Sequence, residues 1–191
     1  MSIEGPSWGA LYEIAAAQEG LFTTGQAAEA GYSLPLLAHH IKRGRIIRMS
    51  RGVYRLVYFP QGDLEDHVLA WLWSAQAGVF SHQSALALYE LSDVLPVALE
   101  MTLPSAWRKR RLRVPDGVRL RYGDLPDDAI AWHGPVPITS PTRTLNDCAV
   151  FGVSPETLQV ACQQALDRGL VVRKDLNQVA VALAPYGGIL A

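Results

Sequence analysis

At 191 residues, 49% of them hydrophobic and 18% charged, the chain is that of an ordered globular protein of one large or two small domains, which excludes a disordered or low-complexity polypeptide. Basic and acidic residues balance to a formal charge of −1, so net charge names no partner. No apolar run approaches the roughly 18 residues that span a bilayer. The acidic start MSIEGPSWG lacks the basic region of a secretory leader, and Cys148 and Cys162 suit buried thiols in a reducing cytoplasm.

Residues 7 to 19 predict a first helix, capped by Ser7, ended by Gly20, with Leu11, Ile14, Ala15 and Gln18 on one face. Leu21-Phe22 reads as a short extended link. Thr23 or Thr24 then caps a second helix that Gly31 ends, and Ala27, Ala28 and Ala30 allow close helix approach. Ser33 caps a third helix with Pro35 in its first turn. Leu34, Leu37, Ala38 and Ile41 fall at core spacing, leaving Leu36, His39, His40, Lys42 and Arg43 on the opposite face until Gly44 stops the helix.

From Ile46 to Leu56 the chain alternates around Ser50-Arg51-Gly52, the pattern of a hairpin with Gly52 at its turn. Helix, turn, helix and hairpin together have the form of a winged helix-turn-helix. Lys42, Arg43, Arg45, Arg48, Arg51 and Arg55 stand between residues 31 and 60 with no acid among them, which points to duplex DNA. On this reading Lys42, Arg48 and Arg51 contact phosphates, and His39, His40 and Arg43 reach base edges. Ser33, Arg45 and Arg55 complete the surface, and Tyr54 packs the hairpin onto the third helix.

The composition changes after Phe59-Pro60-Gln61-Gly62, which places a domain boundary between residues 60 and 61. Asp63 caps a helix over 63 to 77, with Glu65 and Asp66 in its first turn and Val68, Leu69, Leu72 and Trp73 as its apolar stripe. Ser81 caps a short helix whose His82 and Gln83 read as structural. Strands follow over 97 to 103, 117 to 123 and 129 to 139. The segment Trp107, Arg108, Lys109, Arg110, Arg111, Leu112, Arg113 carries five basic residues in six positions. It stands open as a second nucleic-acid surface, a docking site for an acidic partner, or a solvated loop; Arg143 is grouped with it as a candidate. Ser140-Pro141 starts a helix in which Arg143 and Asp147 are i, i+4 partners, Ser154-Pro155 starts a longer one to Arg168, and residues 175 to 183 form the last. The fold class is α+β: an N-terminal winged helix over 1–60 and a mixed α/β domain over 61–191 with a small sheet flanked by helices.

Thr24-Gly25-Gln26-Ala27-Ala28, Gly31-Tyr32-Ser33, Arg43-Gly44, Ile46, Arg48, Arg51-Gly52-Val53-Tyr54, Ser81-His82 and Ile138 through Asp147 together resemble the AbiEi-type antitoxins of type IV toxin–antitoxin systems. The resemblance implies a winged helix that represses its own operon at inverted repeats, with a homodimer on the DNA as a candidate arrangement, and a C-terminal domain that counters a nucleotidyltransferase toxin. The segment Thr139 to Leu145 is shared with proteins that carry a Vsr-like nuclease domain. A non-catalytic relative of those, or a stand-alone regulator with a dimerisation or sensing domain, is the alternative.

Catalytic chemistry finds little in the sequence. A metal-dependent nuclease needs clustered carboxylates and a lysine, yet Glu100, Asp116 and Asp124 are scattered, and the chain ends soon after Arg143. Ser81-His82 lacks a Gly-x-Ser-x-Gly setting, and no glycine-rich phosphate loop occurs. No enzyme activity, metal, cofactor or membrane partner is expected.

Overall fold

Three side-chain caps fix where the first helices begin. In the computed structural model, which describes residues 5–91, 93 and 95–189, Ser7 Oγ accepts from Ala10 N at the start of α1 (Trp8–Ala16). Thr23 and Gln26 form a reciprocal capping box on α2 (Thr24–Glu29), and Ser33 Oγ accepts from Leu36 N on α3 (Leu34–Lys42). Between α2 and α3, Gly31 has φ +85°, and a Cβ there would meet Pro6 Cα at 3.0 Å, so no other residue fits this turn without displacement.

The expected link at Leu21-Phe22 is a strand. β1 (Leu21–Thr23) pairs antiparallel with β3 (Val53–Leu56), which pairs in turn with β2 (Ile46–Ser50), giving a three-stranded sheet of order β1-β3-β2. Three residues are too few to show alternation, which is why the pattern concealed it. At the tip, Gly52 O accepts from both the backbone N–H (2.9 Å) and the hydroxyl (3.3 Å) of Thr24, tying the hairpin to α2. Leu11, Ala15, Phe22, Ala27, Leu37, Ile46, Tyr54 and Leu56 form the core of this unit. Tyr54, expected to pack against the third helix, shares a buried cluster with Leu37 of that helix and stacks on Phe22 of β1 with ring centroids 5.8 Å apart.

The chain divides into two compact units, Met1–Ala77 and Gly78–Ala191. The expected boundary at 60/61 therefore falls inside the first unit, because α4 (Glu65–Trp73) packs on β1 and β3. Asp63 does not cap that helix: Leu64 holds the N-cap position with no side-chain bond, and Asp63 is exposed. The buried residues are Val68, Ala70, Trp71 and Leu72, a face turned slightly from the expected stripe.

The second unit carries a mixed five-stranded sheet of order β6-β5-β4-β8-β7, built from β4 (Val79–Phe80), β5 (Leu99–Leu103), β6 (Val118–Tyr122), β7 (Ile130–His133) and β8 (Val136–Thr139). β4, two residues long, was not legible in sequence. It pairs antiparallel with β5 and parallel with β8. Four helices flank the sheet: α5 (His82–Leu88), α6 (Pro141–Val150), α7 (Pro155–Asp167) and α8 (Asn177–Leu183). Leu86, Leu145, Cys148, Leu158, Cys162, Val179 and Leu183 meet in their shared core, which leaves both cysteines as buried free thiols. Ser154 caps α7 through Thr157 N, whereas Ser81 and Ser140 sit at N-cap positions without a side-chain cap bond.

Candidate nucleic-acid interface

A short helix exposes whatever its neighbours do not cover, and for α3 the neighbours decide against the expected stripe. Leu37 is buried and Leu36 and Ile41 are half-buried against the core, whereas Leu34 is 63% exposed and Ala38 also faces solvent. The outward face therefore carries Leu34, Pro35, Ala38, His39 and Lys42, and it ends in exposed Arg43 and Arg45.

His40 leaves the interface. Its ring lies 5.5 Å from Trp8 and 5.6 Å from Tyr32, and its Nδ1 is buried without a hydrogen-bond partner. Burial lowers its pKa below the ordinary histidine value, helped by the cationic Arg45, His39 and Arg43. It packs as a neutral ring. His39 remains on the open face.

Arg55 also leaves. Its Nε donates to Glu65 Oε2 at 3.0 Å, and its terminal nitrogens donate to the carbonyls of Leu56 and Phe59 at 3.2 and 2.9 Å. The side chains of Arg55 and Glu65 are only 11% and 12% exposed. Arg55 thus pins α4 to β3 from inside the unit. Hairpin alternation explains the error, since β3 is the middle strand and both of its faces are covered.

Arg48 and Arg51 are exposed on the outer strand and tip. Arg48 Nε donates to Ser50 O at 3.2 Å, beside an irregularity in the β2–β3 register, and so holds its guanidinium at the hairpin end. Among the described residues, Lys42, Arg43, Arg45, Arg48 and Arg51 pair with no carboxylate. Ser33 is exposed, with its hydroxyl engaged by the α3 cap. Five cations from one helix end and one hairpin therefore share the N-terminal unit, none of them in an ion pair among the described residues.

In the second unit the candidates separate. Arg143 Nε donates to both Asp147 oxygens at 2.9 and 2.8 Å, the expected i, i+4 pair, so Arg143 is not an unpaired cation. Trp107 is half-buried under Arg110, whose guanidinium carbon lies 3.9 Å from the ring centroid. Arg108 donates to Tyr122 O at 3.3 Å, and Lys109, Arg111 and Arg113 are exposed.

His82, at the start of α5, feels the charges of Asp147 and Arg143. Ser81 Oγ lies 2.8 Å from Thr102 Oγ1 and 2.9 Å from His82 Nδ1 and is wholly buried, so it is not placed as a surface nucleophile. His82 has φ +54°, unusual for a non-glycine residue. Its ring packs edge-on to Phe151 at 4.7 Å, and burial pushes its pKa down. Glu100, buried beneath, accepts from Gln83 N and Arg121 at 3.0 Å each and lies 3.5 Å from Arg119. Arg119 and Arg121 belong to the edge strand β6. Sequence alternation marks that strand, and Asp116-Gly117 separates its arginines from the 108–113 cations. Among the described residues no group of three or more His, Cys, Asp or Glu is placed to hold a metal ion, and no helix is long and apolar enough to cross a membrane.

The N-terminal unit is similar to that of a family of transcriptional regulators. Residues 10–57, from α1 through the last strand of the hairpin, match the family described as "Transcriptional regulator, AbiEi antitoxin". The crystal structure of the RV2827C protein from Mycobacterium tuberculosis is similar over 95% of this chain and 82% of that chain, at 18% identity and a TM-score of 0.45. No curated protein matches the chain.

Proposed function

We propose that this chain is a cytoplasmic AbiEi-type antitoxin of a type IV system, acting as a repressor whose N-terminal unit is a winged helix-turn-helix that binds operator DNA at inverted repeats. The observation that carries this reading is the acid-free array of exposed Lys42, Arg43, Arg45, Arg48 and Arg51 within the segment matched to the regulator family. α3 would lie in the major groove. His39 and Arg43 would offer donors to base edges, and exposed Leu34 and Ala38 would offer apolar contact to thymine methyls. Lys42, Arg45, Arg48 and Arg51 would replace phosphate counterions. Four such cations give this unit a log–log salt slope of about −3.6.

The C-terminal unit, 78–191, would counter a nucleotidyltransferase toxin and join two copies on the DNA. Support for this part is the likeness at Ser81-His82 and Thr139 to Asp147 alone. A double replacement, Arg48→Ala with Arg51→Ala, tests the DNA reading. It is expected to abolish gel shift of the promoter duplex while moving the melting temperature by no more than a few degrees, both side chains being exposed. Undiminished affinity would remove the hairpin from the interface. The same full-length variant, expressed beside the toxin, is expected to keep its antitoxicity while losing repression.

A further inference from the structure

Two motifs of the sequence, Ser81-His82 and Thr139 to Asp147, lie outside the DNA interface of the first unit, and the fold of the second unit brings them together. α5 packs on α6. Arg143, Asp147 and Phe151 fall at i, i+4 and i+8, on one face of α6 and its C-cap. Phe151 joins two further elements: its ring stands 4.7 Å from that of His82 and 4.4 Å from the guanidinium carbon of Arg121 on β6. Asp147, Arg121, Glu100 and Arg143 all act electrostatically on the His82 ring.

His82 is held in an unusual place. Its φ of +54° is a left-handed backbone that few side chains adopt, and such conformations gather at functional sites where neighbours enforce them. Here Gln83 N donates to Glu100 Oε2 at 3.0 Å, and Ser81 Oγ stands 2.9 Å from His82 Nδ1 and 2.8 Å from Thr102 Oγ1. With Thr102 donating to Ser81 and Ser81 to Nδ1, the ring proton sits on Nε2.

The unmet hydrogen-bonding capacity of this cluster is all of one kind. Both carboxylates are engaged: Glu100 accepts from Arg121 and Gln83 N and lies 3.5 Å from Arg119, and both Asp147 oxygens accept from Arg143 Nε. Among the described residues, His82 Nε2 and Arg121 Nε are buried without a hydrogen-bond partner, and neither terminal nitrogen of Arg143 is bonded. His82 is only 4% exposed. What remains is a set of N–H donors, two of the three side chains being guanidiniums, and a buried donor left unmatched destabilises the fold. A group that only accepts, through several oxygens, would satisfy them. Access is open, because the side chains of Arg121 and Arg143 are 28% and 38% exposed and Phe151 is 54% exposed.

We infer that His82, Arg121 and Arg143, with Phe151 at the rim, form a binding site in the second unit for the phosphate group of a small phosphate ester. A tetrahedral phosphate presents acceptors to donors from three elements, α5, β6 and α6, and guanidinium groups match its geometry. A planar carboxylate satisfies one guanidinium fork and leaves the other donors unmet. The exposed ring of Phe151 offers an apolar surface to the organic part of the ester. A duplex backbone is a poor occupant, since His82 is almost inaccessible and a phosphodiester carries substituents on two of its oxygens.

The test titrates the full-length protein with inorganic phosphate, ribose 5-phosphate and adenosine 5′-monophosphate at constant ionic strength. Calorimetry gives the affinity, and NMR of nitrogen-15-labelled histidine follows the His82 ring. Saturable displacement of the His82 signal is expected, with an ester bound more tightly than inorganic phosphate; the two esters separate a sugar phosphate from a nucleotide. Arg143→Gln, whose amide can still donate to Asp147, is expected to weaken binding about ten- to hundredfold, the worth of a charge-assisted hydrogen bond. Arg143→Lys should weaken it less, and Lys174→Gln, at an exposed position elsewhere in the unit, not at all. Heat released with an unmoved His82 signal would place the phosphate on the cations of the first unit and overturn the inference. Absence of binding, equal affinity for all three phosphates, or undiminished affinity in Arg143→Gln would overturn it as well. The His82 measurement on the parent protein stands whether or not a variant folds.

Discussion

Arg55 and Arg48 show how far chemistry depends on placement. Both are arginines of one hairpin, yet one lies inside an ion pair with Glu65 and the other at an open tip. Truncating one member of a buried pair leaves the other charge unmatched, a loss of about 3–5 kcal/mol. Arg55→Ala is therefore expected to lower unfolding free energy by that order while the folded fraction keeps its affinity for DNA. Full stability with weakened binding would return Arg55 to the surface. His40 and His82 give a second prediction. Burial lowers both pKa values in the folded state, so the unfolded chain takes up protons first as pH falls. Their contribution is fully present above about pH 6.5 and is lost as pH drops through the folded values. Thermal unfolding from pH 7.5 to 5 should show falling stability, reduced in slope by His82→Asn, a residue that tolerates the left-handed backbone of position 82.

At the level of elements, the sequence carried the helices, the hairpin and most of the second sheet, and the caps at Ser7, Ser33 and Ser154 explain why. Each supplies a local bond that does not depend on the rest of the fold. Apart from the cap at Asp63, the differences involve partners distant in sequence or strands of two or three residues. α3 has nine residues, and both 34/37/38/41 and 36/37/40/41 satisfy helical spacing. What selects the second face is the aromatic pair of Trp8 and Tyr32, which receives His40. β1 and β4 were too short to announce themselves, and Glu65, which draws Arg55 inward, lies on the far side of the expected domain boundary. The importance of β1 is testable. Phe22 is wholly buried and stacked on Tyr54, so Phe22→Ala should cost about 3–5 kcal/mol and loosen the hairpin. Hydrogen exchange would show it as faster exchange at Tyr54 and Leu56; unchanged protection there would mean β1 does not hold the sheet.

For the whole molecule, charge is distributed unevenly in a chain that is nearly neutral overall. Each compact unit holds one dense cationic segment, at 42–55 and 108–121, and the remainder is acidic. The first of these was legible because cations and helix-turn-helix punctuation coincide. The second was legible as charge but not as geometry, since the bonds that order it run to Asp124 and Tyr122, distant in sequence. The central claim is that exposed cations of α3 and the hairpin bind duplex DNA selectively at the chain's own promoter. The most direct measurement is the equilibrium affinity for promoter and random duplexes at fixed salt, for the parent protein and for Arg48→Ala/Arg51→Ala. Clear preference for the promoter in the parent, with loss of binding in a variant that remains folded, is the predicted result. Equal affinity for both duplexes, or a variant that binds as well as the parent, would contradict it.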